Sequence, residues 1–329
     1  MTDTTALDRR QLLFSAGAVG LAAASCAPVS AQSQGPDLSG TSVLITGCSS
    51  GFGRLSAEHL AERGAQVFAT MRNLPRTEAD ELRDVASSRD LDITVLELDV
   101  RSDAQVEGAV GEALRATDGA LDVLVNNAGI AYAGPVEMQD MEATQHLFDT
   151  NLIGPHRTAR AVLPAMRERG RGLIVNVSSQ LGRVIIPAFG QYSPTKFALE
   201  AMSEAMAVEL APFGIDVSIV QPGGYPTEIW DNARALTADL LARTPESLRE
   251  TYAAYLEGLD SRGGGSSDPM DIPRALADII AAPRGTRPLR VPVHPDAKPQ
   301  LAINAASAAT QKAMLERMGR AEVARKLYG

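Results

Sequence analysis

The chain is poor in aromatic residues: of 329 positions only 4% are Phe, Trp or Tyr, with a single tryptophan. It also lacks a basic excess. Against 40 Asp and Glu there are 31 Lys and Arg, a net charge of −9, which argues against a nucleic-acid binder and its phosphate-neutralising stripe. No run of eighteen apolar residues occurs past the first thirty, so no membrane-spanning core is expected. Cysteine is confined to Cys26 and Cys48. Loss of the first 31 residues would leave Cys48 alone, with no intramolecular disulfide even in an oxidising compartment.

What the chain does have is 45% apolar residues, enough for a substantial core. At the N-terminus Arg9 and Arg10 precede a moderately apolar stretch from Leu12 to Ala24, and small residues follow as far as Ala31. This is the layout of an export signal over residues 1–31, and its paired arginines point to the twin-arginine route and the periplasm. The alternative is a retained N-terminus on a cytoplasmic or membrane-anchored protein. Cys26 loosely fits a lipoprotein cleavage site, although Ala23 stands where a branched residue is usual.

From residue 42 short β-branched runs alternate with longer helical patterns. Strands are expected at 42–46, 66–70, 93–98, 121–125, 173–177, 215–220 and 289–293. Most are apolar almost throughout, as in a parallel sheet covered on both faces. Ser102 and Gln105 have the spacing of a capping box. Repeated strand–helix units predict a doubly wound (Rossmann) α/β sandwich of three layers over residues 40–295, built on a seven-stranded parallel sheet. Residues 227–262 read as a helical insert, 262–268 as a flexible loop, and 296–329 as a helical extension over the site or a partner subunit.

The stretch TGCSSGFG (46–53) fits two templates. As G-x-S-x-G it is a nucleophile elbow with Ser49 attacking, the mark of a serine hydrolase. That reading needs an acid and a histidine downstream, and of His59, His146, His156 and His294 only His294 is well placed. The elbow would also follow the first strand, ahead of most of its scaffold. As a strand running into Gly47, Gly51 and Gly53 and then a helix near Phe52, the same stretch cradles a dinucleotide phosphate on backbone N–H groups. NNAG (126–129), YSPTK (192–196) and PGGYPT (222–227) then fall at later strand ends, where ligands sit in such sheets.

With these motifs in this order, residues 40–295 resemble the short-chain dehydrogenase/reductase family. The resemblance implies a catalytic set of Asn151, Ser179, Tyr192 and Lys196. Ser179 is preferred to Ser178 because it lies thirteen residues before Tyr192, the family spacing. It also implies cofactor contacts from Ser49, Ser50, Asp99, Val100, Asn126, Ala128, Gly129, Pro222, Gly223 and Thr227, together with Tyr192 and Lys196. Asn151 would support a proton relay from Lys196, and a homodimer or homotetramer would form through the helices carrying Asn151 and Tyr192. The motifs look closest to the branch holding hydroxysteroid and retinol dehydrogenases, which implies a hydrophobic carbonyl or alcohol substrate and no metal.

The chemistry accounts for the residues. Reducing a carbonyl needs a hydride on carbon and a proton on oxygen. A phenol of pKa about 10 is poorly poised at neutral pH, and lowering it three units takes roughly 4 kcal/mol. An ammonium some 4 Å away is worth about that much at an effective dielectric near 20, and Lys196 stands one turn beyond Tyr192 on a helix face. Ser179 would bond the substrate oxygen. After the second strand an NAD-selective enzyme usually places an acid, whereas VFATMRN has Arg72, suited to a 2′-phosphate with help from Ser50. NADP(H) is therefore expected. A non-catalytic NADP-binding sensor or scaffold stays as the alternative, and an exported enzyme would have to acquire its cofactor before transport.

Overall fold

The computed structural model describes residues 35–258 and 263–329. The expected export signal lies outside the described residues. Seven strands, β1 (Ser42–Ile45), β2 (Gln66–Met71), β3 (Ile93–Glu97), β4 (Val123–Asn126), β5 (Gly172–Val177), β6 (Ile215–Pro222) and β7 (Arg290–Val293), form one sheet in the order β3-β2-β1-β4-β5-β6-β7. Every pairing is parallel. The chain starts in the middle, winds outward to β3, returns past β1 and winds out to β7, the doubly wound arrangement anticipated above.

The helices are α1 (Gly51–Glu62), α2 (Thr77–Arg89), α3 (Asp103–Ala116), α4 (Met141–Phe148), α5 (Gly154–Arg169) and α6 (Tyr192–Leu210). They continue with α7 (Ile229–Arg243), α8 (Glu246–Thr251), α9 (Ala253–Leu256), α10 (Asp271–Ala281), α11 (Leu301–Arg317) and α12 (Ala321–Tyr328). Strand alternation feeds two cores. Val43 and Ile45 of β1 face a cluster with Leu60, Leu82 and Leu276 from α1, α2 and α10. Leu44 faces the other way, toward Val110, Val162 and Met206 of α3, α5 and α6. Because both strand faces are covered, both parities had to be apolar, which is why the sequence shows runs instead of alternation. Each fully buried leucine contributes about 2 kcal/mol.

The capping box is only half formed. Ser102 Oγ accepts from Gln105 N at 3.3 Å, but Gln105 Oε1 turns to the Asp99 N–H at 2.7 Å. Ser102 N already donates to the Asp99 carbonyl oxygen, so the glutamine satisfies the Asp99 N–H three residues upstream instead. The described residues of the 227–262 segment hold α7, α8 and α9. The C-terminal extension belongs to the same compact unit as the sheet. Its last helix docks on the β6 and α6 side, where Lys326 pairs with Asp216 at 3.0 Å and the Tyr328 hydroxyl donates to Glu204.

Candidate active site

A cavity of about 540 Å³ opens at the C-terminal ends of β1, β4, β5 and β6. Its floor is the glycine loop, where Gly47 and Gly51 take φ of +74° and +53°. A Cβ on Gly47 would also lie 2.8 Å from Ala128 Cα, so dihedral and contact both require glycine there. Ser49, Ser50, Gly51 and Phe52 line the cavity with Gly47. Ser50 caps α1 without a side-chain hydrogen bond. The first-turn N–H groups and the positive helix end are thus available to an anion, which fits the pyrophosphate of a dinucleotide.

Gly53 does not line the cavity, contrary to expectation. A Cβ there would meet the Gly47 carbonyl oxygen at 2.1 Å, so this glycine lets α1 close on the loop instead of letting a ligand approach. Asn126 is likewise displaced from its expected role. Its amide donates to Asn176 Oδ1 at 2.9 Å and its oxygen accepts from Thr158 at 2.6 Å, inside the layer between sheet and helices. Asn127, which was not singled out, lines the cavity and clamps the loop. Its Nδ2 donates to the carbonyl oxygens of Thr46 and Gly47 at 2.9 and 3.1 Å. Successive side chains take opposite sides at the strand end, and that parity separates the two asparagines.

Arg72, directly after β2, lines the far end together with Asp99 and Val100. Burial opposes ionisation of Asp99, but bonds from Arg101 outweigh it and hold the carboxyl below its usual range. The Arg101 guanidinium and backbone N–H reach it at 2.7 and 2.9 Å. Ala128 and Gly129, Pro222, Gly223 and Thr227 line the wall as expected.

At the other end Ser179, Tyr192 and Lys196 converge on the cavity. Tyr192 opens α6 and Lys196 stands one turn on, both buried. Lys196 Nζ donates to the Val177 carbonyl oxygen at 3.0 Å and lies 5.8 Å from the centroid of the Tyr192 ring. Burial pushes the phenol up to about 12, with a hydrogen bond from Ser179 acting the other way. Burial also brings the ammonium down to about 8, opposed by Glu200. The expected acidic phenol is therefore not found: removal from water is the largest influence on both groups.

Ser179 Oγ accepts from Leu181 N at 3.1 Å and so caps the short turn Gln180–Gly182. Its neighbour Ser178 has no hydrogen-bond partner at its Oγ. Asn151 does not line the cavity. It sits in the wide turn Asp149–Ile153 between α4 and α5, where Oδ1 accepts from Ile130 N and Nδ2 donates to the Ile130 carbonyl oxygen, both at 2.9 Å. Nδ2 also reaches Thr195 Oγ1 at 3.2 Å, so its bonds run across the fold. A Cβ on Gly129 would stand 3.3 Å from Asn151 Oδ1 and 3.7 Å from Lys196 Nζ, so the two groups meet behind that glycine.

The remaining wall is apolar, with Leu181, Ile186, Phe189, Trp230 and Leu236. The Trp230 ring stands edge-on to Phe189 at 6.1 Å, and Phe189 lies 6.2 Å from the Tyr192 ring. None was singled out from sequence, although a lone tryptophan inside the insert was the available signal. No histidine lines the cavity, and among the described residues none hydrogen-bonds Ser49, so the hydrolase arrangement is not assembled.

Residues 41–237 match the family model described as short chain dehydrogenase. Retinol dehydrogenase 8 of Homo sapiens is 37% identical over 250 residues, covering 74% of this chain and 78% of its own. A short-chain dehydrogenase from Streptomyces avermitilis superposes with a TM-score of 0.65 at 32% identity, over 85% of this chain and 98% of that one. Gluconate 5-dehydrogenase from Burkholderia cenocepacia J2315, solved with NADP and tartrate, gives a TM-score of 0.55 at 32% identity over 63% of this chain and 80% of that one. The chain belongs to the short-chain dehydrogenase/reductase family of oxidoreductases, which act on CH–OH and C=O groups.

Proposed function

We propose that the protein is an NADP(H)-dependent oxidoreductase interconverting a hydrophobic carbonyl compound and its alcohol. The observation that carries this reading is the convergence of Ser179, Tyr192 and Lys196 on the wall of the cavity whose floor is the glycine loop. When bound, the nicotinamide supplies or accepts the hydride. The loop from Gly47 to Phe52 and the first turn of α1 would hold its pyrophosphate, and Ala128, Gly129, Pro222, Gly223 and Thr227 its nicotinamide half.

Tyr192 Oη holds the proton for the carbonyl oxygen. With the phenol near 12 the group stays protonated through neutral pH, as a donor for reduction requires. Ser179 accepts the Leu181 N–H, and its hydroxyl, which also bonds Tyr192, would turn to the substrate oxygen once a carbonyl is bound. Lys196 places positive charge beside Tyr192 and stabilises the phenolate left after transfer. Asn151, on the far side of Gly129, supports the route by which Lys196 regains a proton.

Arg72 supports NADP(H) over NAD(H), because a guanidinium lines the cavity after β2 where an acid would repel a 2′-phosphate. The apolar wall and the similarity to retinol dehydrogenase 8 support a hydrophobic substrate. Exposed Ile153 and Phe197, on the elements bearing Asn151 and Tyr192, support association of copies, for which light scattering giving a monomer is the contrary result. The test of function is coenzyme oxidation by purified protein across steroids, retinoids and simple ketones. Turnover with NADPH in preference to NADH is expected. Binding of NADPH with no turnover of any carbonyl would instead indicate a sensor.

A further inference from the structure

We propose that Glu200 is a positioning residue for the reaction: fixed in the core one turn beyond Lys196, its carboxylate sets the charge balance around Lys196 and Tyr192. This rests on the roles given to those two residues above. Tyr192, Lys196 and Glu200 follow one another at four-residue intervals along α6, so they share a face.

Glu200 is only 1% exposed. Its Oε1 accepts from Gln221 Nε2 of β6 and its Oε2 from Arg290 Nε of β7, both at 2.8 Å. Two oxygens that both accept N–H bonds have the pattern of an ionised carboxylate. Arg183 stands 3.5 Å away on the loop after β5. That loop closes tightly here: a Cβ on Gly182 would meet Glu200 Cγ at 3.0 Å and the Lys196 carbonyl oxygen at 3.1 Å.

A buried ionised carboxylate is expensive, and replacing such groups with apolar ones is often stabilising. Pairing with Arg290 is not reason enough for it, because Arg290 also reaches Glu204 at 2.7 Å, and Glu204 in turn accepts from Tyr328 of α12. What Glu200 adds is negative charge next to Lys196, where it favours the ammonium against the cost of burial. The groups facing it are therefore Lys196 and Glu204 on its own helix, Arg183, Gln221 and Arg290 on the elements packed against it, and Tyr328 beyond Glu204.

The test is the pH profile of kcat/KM for carbonyl reduction in wild type, Glu200→Gln and Arg290→Gln. Loss of a negative charge lowers the pKa of every neighbour and loss of a positive charge raises it. The alkaline limb should move down by about one unit in Glu200→Gln and up by about half a unit in Arg290→Gln. Limbs unmoved in both, or moved in the same direction, would overturn the proposal and leave Glu200 a structural residue whose loss lowers only Tm. If Glu200→Gln does not fold, the limb of Arg290→Gln still decides: unmoved or lowered, it refutes the role. Failure of the underlying reading has a separate signature, namely Tyr192→Phe turning over as fast as wild type.

Discussion

Lys196 Nζ donates to the Val177 carbonyl oxygen at 3.0 Å, tying the second turn of α6 to the end of β5. The bond holds the ammonium in a dry place at a cost. Burial brings the lysine from 10.5 to about 8. Between those values the unfolded chain binds a proton the folded chain has released, so stability should rise with pH in this window. At ~1.4 kcal/mol per unit the gain from pH 8 to 10 is about 2 kcal/mol. Urea titrations of wild type and Lys196→Met should show that gain in wild type alone. Above pH 10 Tyr192, held near 12, acts in the opposite sense, because the folded chain then keeps the extra proton.

Arg72 makes the coenzyme preference testable. A hydrogen bond to a charged group is worth roughly 1.5–3 kcal/mol. Arg72→Ala should therefore raise KM for NADPH about tenfold to a hundredfold while changing KM for NADH little. Better kcat/KM with NADH in wild type, together with an unchanged NADPH KM in the variant, would refute the assignment.

Two glycine-to-alanine substitutions should have opposite effects. At Gly53 the new methyl would stand 2.1 Å from a backbone carbonyl oxygen, whereas at Gly108 in α3 nothing lies within 4 Å. Gly53→Ala should cost about 3 kcal/mol or more of stability and weaken coenzyme binding through the distorted loop. Gly108→Ala should stabilise by about 0.5–1 kcal/mol with kinetics unchanged. Thermal denaturation and coenzyme KM read both.

Trp230 is both the sole tryptophan and part of the apolar wall. Binding of a hydrophobic carbonyl should change its fluorescence. Trp230→Ala should raise KM for a bulky substrate by about tenfold or more, the scale of burying a large side chain's contacts, while a small ketone is little affected. An equal loss on both would mean that Trp230 only supports the fold.

The parallel sheet and its strand positions were legible because a strand covered on both faces must be apolar along its length, and β1 to β7 lie within a few residues of their expected bounds. Spacing was enough to place Tyr192 and Lys196 together on the cavity wall, whereas orientation could not be read from it. Asn126 and Asn127 are identical in the sequence, yet only the second reaches the cavity. Ser178 and Ser179 differ in the same way: only Ser179 caps the turn that follows. The titration of Tyr192 was misjudged because Coulomb attraction can be counted from a four-residue spacing and desolvation cannot. The apolar wall and Glu200 were missed because their meaning arises only where distant segments meet.

The central claim concerns one proton. Single-turnover reduction of a carbonyl substrate by NADPH should be slowed about a hundredfold or more in Tyr192→Phe, the scale of losing a general acid, with coenzyme affinity retained. Tyr192→Phe reducing its substrate at the wild-type rate would contradict the account.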